Sequence, residues 1–537
     1  MFIKPRRGGI IIAGDTIFVF LCANGKDANL YFIFIALLSK QPVACISQTC
    51  ADSLKPKKNQ PMILPPDFIN RMNHQLPPNE VDDFFAALQT AAPISVRYNT
   101  CKTPEPPLNP TLPVLWCDNA YYLPKRPLFT ADPLFHAGVY YVQEASSMFV
   151  AEALQQTTNL SEPLTVLDLC AAPGGKSTLL AAMLSPQSML IANEIVRTRA
   201  NILAENLVKW GLDNTYVCCN TPNDFEPLSQ LFDVVLVDAP CSGEGMFRRG
   251  DVAINEWSLH NVTMCATRQQ QILPIAAQLL KPGGILIYTT CTYAQTENED
   301  NALWLIDNTD HNLQSVQLQL QPQWGITQTQ YQSRHQQTVF GYRFYPHKLQ
   351  GEGFFMSVFK KPSIPENGDD YPATYANNKS AKNKKQKNAN NSLLLSKTYL
   401  PQMPNYVAQP EQYEYVLLDT EIHAIPKPNY ALWLNMRQHL YFLKQGIHLG
   451  TVKQNGIIPA HDLALSISHA PTLPTLPVTY EQAIAFLRKT DFDLPPNAPI
   501  GWCMVSYQNV ALGWIKVLPN GRANNYYPPH WRIRMEL

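Results

Sequence analysis

Short unbroken apolar runs alternate with helical segments through the middle of this chain. Three of the runs read as strands, Val166–Leu169, Phe232–Val237 and Ile285–Thr290, and two further runs of the same kind are MLIAN (189–193) and TYVCC (215–219). Strands alternating with helical segments imply a parallel sheet, and such a sheet binds ligands outside the carboxyl ends of its strands. Upstream, Asp67–Met72 and Val81–Leu88 carry apolar residues at helical spacing and Ile94–Tyr98 alternates like a strand. Downstream of about residue 400 the pattern breaks into short strand-like runs, HLYFL, GIHLGTVK, WCMVSY and ALGWIKV, separated by Gly, Pro and Asn turns. These predict an α+β or small barrel-like module.

The stretches between these blocks have their own composition. A Pro-rich segment, 104–113, leads from the N-terminal unit into the central one. The segment ENGDDYPATYANNKSAKNKKQKNANNS is polar, Lys/Asn-rich and without large aliphatic residues, the composition of a disordered linker. The first sixty or so residues hold two apolar runs, Ile17–Ala23 and Leu30–Leu38, too short to span a bilayer and separated by polar NGKDAN. The basic start MFIKPRR hints at a signal peptide, but Asp15 interrupts the apolar core and no convincing cleavage site follows. The expected organisation is a loosely ordered extension or misplaced translation start (1–61), an accessory unit (62–133), a catalytic domain (134–362), a linker (363–399) and a C-terminal module (400–537).

Charge narrows the partners. Lys plus Arg and Asp plus Glu both number 42, a formal charge of zero, so any nucleic-acid surface must be local. The candidates are Lys379–Lys387 and the C-terminal Arg522, His530, Arg532 and Arg534, interleaved with Tyr526, Tyr527 and Trp531. Twelve cysteines contain no C-x-x-C pair, and the histidines show neither H-x-x-x-H nor H-E-x-x-H spacing. No structural zinc site and no catalytic metal is expected, and a reduced, cytoplasmic chain fits the cysteine usage.

Three strand ends carry chemistry. After Val166–Leu169 comes the turn Ala171–Gly175 and then a helical segment, Lys176–Leu184, so backbone N–H groups and a helix N-terminus face a ligand. Gly174 and Gly175 allow close approach, and Glu194 follows MLIAN where a carboxylate would hold ribose hydroxyls. The loop lacks G-x-G-x-x-G, which favours S-adenosylmethionine over a nicotinamide dinucleotide; an ordinary structural turn is the plain alternative. The second strand ends in Asp238-Ala239-Pro240-Cys241 and the third at Cys291. Pro240 keeps its loop extended, Lys281-Pro282-Gly283-Gly284 feeds the third strand, and Thr296 with Glu299 forms a T-x-x-E capping box. Two thiols and a carboxylate beside a methyl donor suit carbon-5 methylation of a pyrimidine. A thiolate adding at carbon 6 makes carbon 5 nucleophilic, and Asp238 can bond the ring edge as charge builds there. The remaining cysteines read as small buried hydrophobes.

Together DLCAAPGGKST, DAPCSGEG and TTCTYAQTENED resemble the Nol/Nop/Sun family of RNA cytosine-5 methyltransferases, and most of all its bacterial RsmF-type enzymes of 16S ribosomal RNA. The resemblance extends to Ser95-x-Arg97-x-Asn99, to Pro133–Met148 and to Arg343–Phe355. It implies a class I methyltransferase fold, an α/β doubly wound sheet flanked by a small α/β N-terminal unit and a C-terminal α+β PUA-like RNA-binding module. It further implies that Cys291 is the nucleophile, that Cys241 aids product release, and that Asp238 contacts cytosine and cofactor. Cys170, Ala171, Ala172, Pro173, Gly174, Gly175, Lys176 and Glu194 would hold S-adenosyl-L-methionine. Where the family places an aspartate near the adenine amine this chain has Asn220, whose carbonyl can still accept from that amine. The implied partner is RNA, 16S or the small-subunit particle, with no DNA and no membrane, and the chain acts as a monomer. The rivals are a transfer-RNA substrate, a DNA enzyme using Cys241 as nucleophile, and a non-catalytic assembly factor.

Overall fold

Residues 9–13, 16–20, 33–36, 62–363, 394–396, 399–454 and 456–535 are described by the computed structural model. They belong to two units, 1–61 and 62–537. In the first, Gly9–Ala13, Thr16–Phe20 and Ile33–Ala36 form an antiparallel three-stranded sheet. The other residues expected to form the extension, the Lys379–Lys387 tract and most of the linker lie outside the described residues.

The second unit is organised around one large mixed sheet. Its parallel strands are β1 (Thr165–Asp168), β2 (Met189–Asn193), β3 (Thr215–Cys218), β4 (Phe232–Asp238) and β5 (Leu280–Thr290). Antiparallel strands β6 (Thr327–Gln332), β7 (Thr338–Phe344) and β8 (Phe354–Lys360) continue one side, and β9 (Phe442–Gln445) closes the other. The order is β6-β7-β8-β5-β4-β1-β2-β3-β9, with the short strand Gln314–Ser315 beside β8. The chain runs outward from β1 to β3 and then returns to the other side of β1, so the strand order reverses between β1 and β4. In a doubly wound sheet that reversal leaves a crevice at the carboxyl ends.

Both faces of the sheet are covered, as its apolar runs require. Leu167, Ile191, Val235 and Leu286 point to one face, where they meet Leu273 and Ala276 of the helix Leu259–Leu279. Val166, Leu190, Val234 and Ile285 point to the other, against Leu154 of Val150–Thr157 and Leu180 of Gly175–Met183. The alternation follows from the two-residue period of a strand.

Two local expectations change. Lys281-Pro282-Gly283-Gly284 lies within the extent of β5 as an irregularity, since β4 pairs through Phe232–Leu280 and then shifts register to Val234–Ile285; Gly283 turns there at φ +80°. The Thr296–Glu299 capping box does not form. Glu299 is instead drawn to Arg343 of β7, with Nε to Oε1 at 2.6 Å, and both side chains are almost fully buried. A buried guanidinium that would otherwise lack a counter-charge outweighs a cap.

The flanking regions are joined to this sheet rather than hung from it. Ile94–Tyr98, Ala120–Leu123, Leu112–Pro113 and Tyr140–Val142 make a four-stranded sheet, so the accessory unit draws one strand from beyond residue 133. The C-terminal region contributes two more four-stranded sheets. The first comprises Tyr413–Leu418, Glu421–Pro426, Ile447–Lys453 and Gly456–Pro459. The second comprises Thr475–Pro477, Gly501–Tyr507, Val510–Val517 and Ala523–Asn525. Trp433 and Met436 sit in the same apolar cluster as Leu167 and Val235. Phe486, Leu487 and Ile515 share a cluster with Val96 and Tyr98.

Candidate active site

The loop and helix after β1 are held by the N-terminal four-stranded sheet. Ser95 Oγ donates to the Gln143 carbonyl (2.6 Å), and Asn99 Nδ2 to the carbonyls of Gly138 and Trp210 (3.1 and 2.8 Å). Arg97, buried, donates to Thr178 Oγ1 (2.6 Å) and the Gly175 carbonyl (3.3 Å), with its guanidinium 4.5 Å from the Trp210 ring centroid. Arg97 is thus the clamp on the helix Gly175–Met183, while Ser95 and Asn99 tie its strand to the neighbouring backbone. Gly174 caps that helix at φ +113°, a conformation that strains any residue with a Cβ.

A cavity of about 940 Å³ opens at the carboxyl ends of β1, β2, β4 and β5. Its lining brings together Cys170, Ala171, Ala172, Pro173, Gly175, Lys176, Glu194, Asp238, Cys241 and Cys291. Gly174 and Asn220 do not line it. Asn220 is occupied elsewhere, its Oδ1 accepting from the Tyr441 N–H at 2.9 Å. Glu194 accepts from the Val196 N–H (2.9 Å) and pairs with Arg199 (3.2 Å), which also donates to the Ala172 carbonyl (2.9 Å). Asp168, the last residue of β1, is fully buried. Its Oδ2 accepts from Ser177 Oγ (2.7 Å) while Oδ1 has no partner, and burial lifts its carboxyl to about 7.

The thiol side of the cavity is built from the ends of β4 and β5. Cys241 and Cys291 lie with their sulfurs 3.2 Å apart, and the Cys291 N–H points to the Cys241 sulfur at 3.4 Å. The hydrogen bond to the Cys291 sulfur, together with burial, pushes the Cys241 thiol well above its ordinary value. Asp238 is fixed from both sides, Oδ2 by Lys176 Nζ (2.8 Å) and Oδ1 by Thr289 Oγ1 (2.9 Å). Burial opposes the charge on Lys176, but Asp238 outweighs it and the ammonium is raised above its ordinary value.

Beneath the thiols is a polar floor that the sequence did not signal. Glu297, fully buried, accepts from the Ser242 N–H (2.8 Å) and from Ser242 Oγ (2.5 Å); Gln269 Nε2 donates to the Pro240 carbonyl (2.9 Å). These bonds fix the residues on either side of Cys241. Burial lifts Glu297 to about 7 even against the donors from Ser242. At the rim, Arg249 makes a forked pair with Glu352 (Nε to Oε1 3.0 Å and to Oε2 2.9 Å) and stays half exposed. Of the expected C-terminal cluster, Arg522, His530, Arg532, Arg534 and Tyr526 are exposed. Tyr527 is instead buried, and Trp531 packs inward beneath Lys209 Nζ at 5.1 Å.

A doubly wound sheet with a glycine-turned loop after β1, a carboxylate after β2 and paired thiols after β4 and β5 defines a methyltransferase dependent on S-adenosylmethionine. Three family profiles extend along the chain: the 16S rRNA methyltransferase RsmB/F over 155–360, the N-terminal domain of 16S rRNA methyltransferase RsmF over 64–145, and the methyltransferase RsmF PUA domain over 473–533. Along these three stretches, in the same order, the chain is similar to the RsmF-type branch of the RsmB/F methyltransferases. The ribosomal RNA small subunit methyltransferase F of Shewanella piezotolerans is 29% identical over 86% of this chain and 95% of its own length. Its counterpart in Pectobacterium carotovorum is 36% identical over 46% of this chain and 54% of its own. A methyltransferase homologue of known structure from Pyrococcus horikoshii is 27% identical and covers 55% of this chain and 94% of its own, with a TM-score of 0.46.

Proposed function

We propose that this protein methylates carbon 5 of a cytosine in 16S ribosomal RNA through a covalent bond from Cys291. The observation that carries the reading is the pair of sulfurs 3.2 Å apart in one cavity with the anchored Asp238. The cavity also suits S-adenosylmethionine. An orphaned buried oxygen of Asp168 answers a cationic amino group, Glu194 answers ribose hydroxyls, and Cys170–Lys176 lie along the β1 loop between them. When bound, that group supplies the methyl.

Cys291 attacks as thiolate at carbon 6, forming a sulfur–carbon bond and moving the ring's electron pair to carbon 5 and the N3 edge. Asp238, held as an acceptor by Lys176 and Thr289, takes a hydrogen bond from the exocyclic amine and fixes the base without reorganising. Once carbon 5 is methylated, its proton leaves to a base, the double bond re-forms and Cys291 departs as thiolate. Cys241 assists that departure, since its proton sits one hydrogen bond from the leaving sulfur. RNA held in the rim and on the exposed C-terminal arginines would present a flipped base to the cavity. Ribosomal RNA as substrate places the activity in the cytoplasm, and among the described residues no helix is long and apolar enough to cross a membrane.

Bisulfite sequencing of 16S ribosomal RNA and transfer RNA from a deletion strain, complemented with the wild type or with Cys291→Ala, tests the reading. One 16S cytosine should lose its methyl group, regaining it only with the wild type. A lost signal confined to transfer RNA would overturn the substrate.

A further inference from the structure

The antiparallel strands Glu421–Pro426 and Ile447–Lys453 place three metal-ligating side chains together. His423 stands opposite His448 in the ladder, and Glu421, two residues before His423, shares its face. The two imidazoles stack with centroids 4.9 Å apart at 18°. Glu421 Oε2 is 3.5 Å from His423 Nε2, and one ligand atom from each of the three residues lies within 4.8 Å of the others.

The outer hydrogen bonds settle which nitrogens face inward. His423 Nδ1 lies 3.2 Å from the Gln445 carbonyl, and a carbonyl can only accept, so that nitrogen carries a proton and Nε2 is the one turned to Glu421. His448 is bonded to the backbone of Gly450, and its buried Nε2 has no partner. Two imidazoles and a carboxylate thus converge, and the buried His448 Nε2 has no protein partner there. Imidazoles with one nitrogen tied to a backbone carbonyl and the other free are the arrangement that orients metal ligands.

We propose that Glu421, His423 and His448 bind a zinc-type divalent cation, with three protein ligands and one position open. Two imidazoles and a carboxylate select zinc over magnesium or calcium, which take oxygen ligands. A tetrahedral zinc ion sets its ligands roughly 3.3 Å apart, close to the Glu421–His423 separation already present. The exposed Glu421 can close the remaining gap by rotation. The ion would brace a junction, because Gln445, which orients His423, is the end of β9 and pairs with Tyr216 of β3. The expectation of no metal came from spacing along the chain, and these ligands meet across strands.

The test is a zinc titration of the metal-stripped full chain against a competing chelator, in the wild type, His423→Asn, His448→Asn and Glu421→Gln. A Cys241→Ser/Cys291→Ser chain removes the thiols, the obvious competing ligands. One zinc ion per chain should persist in the double serine chain and weaken by roughly a hundredfold in either asparagine variant and about tenfold in Glu421→Gln. Cobalt in the double serine chain should give visible bands of nitrogen and oxygen ligation, a readout that holds even if a histidine variant fails to fold. Zinc affinity unchanged in both asparagine variants, or lost with the two thiols, would overturn the site.

Discussion

The floor beneath the thiols and the antiparallel strand pair Glu421–Pro426 and Ile447–Lys453 of the C-terminal region bury polar groups in different ways. In the floor each group finds its partner near a strand end: Ser242 meets Glu297, Gln269 meets the Pro240 carbonyl, Asp238 meets Lys176 and Thr289. In the strand pair the convergence of His423, His448 and Glu421 leaves His448 Nε2 unpaired. A fully satisfied network fixes one geometry, as catalysis on a flipped base requires; an unsatisfied one is a reservation for something that binds. The first region should therefore carry the chemistry, and the second only affinity and support.

Four expectations can overturn that division, and the largest is at Cys291. Cys291→Ala should lower methyl transfer by on the order of 10⁴-fold or more while S-adenosylmethionine still binds, as calorimetry would show. Substantial turnover would remove Cys291 from the chemistry. Asp238→Asn should cost on the order of a hundredfold in single-turnover rate with RNA affinity nearly unchanged. A wild-type rate would reduce Asp238 to a strand-end residue.

The third expectation concerns pH. Glu297 moves from 4.5 when exposed to about 7 in the fold, so between those values the folded chain holds a proton that the unfolded chain has released. Stability from this group is full below 4.5, falls as pH rises through about 7 and is flat above. Denaturation midpoints of Glu297→Gln relative to wild type should accordingly improve across that window, and parallel curves would contradict the burial argument. The smallest effect is at the other end of the chain. Reversing Arg522, Arg532 and Arg534 to Glu should weaken RNA binding modestly and flatten its salt dependence by about one slope unit for each phosphate no longer neutralised, with turnover of bound RNA unchanged. An unaltered slope would move the RNA surface to the rim at Arg199 and Arg249.

Legibility divides along the same line. The strands ending at Asp168, Asp238 and Thr290 could be read because buried parallel strands are unbroken apolar runs, and the loops after them because glycine, proline and cysteine have few other uses there. Glu297 and Gln269 could not be read, since nothing local distinguishes a buried carboxylate from the exposed Asp300 of the same TENED run. Glu299 misled for a related reason: its local capping signal was real, but Arg343, forty-four residues away, bound it more strongly. Distance along the chain likewise hid the attachment of β9 to β3, the burial of Tyr527 and the inward packing of Trp531, which a basic-aromatic tail would otherwise display. Ser95-x-Arg97-x-Asn99 was visible as a motif, but the task of Arg97 in clamping the helix after β1 emerges only when it is seen reaching Gly175 and Thr178.

At the heart of the proposed mechanism two adjacent sulfurs divide the labour, Cys291 forming the bond to RNA and Cys241 helping to break it. Cys241→Ala, Cys291→Ala and the double variant, each incubated with 16S ribosomal RNA and S-adenosylmethionine and run on one denaturing gel, test that division. Cys241→Ala alone should accumulate a protein–RNA complex that survives denaturation. A complex from Cys291→Ala instead, or free turnover by Cys241→Ala with no trapped species, would contradict it.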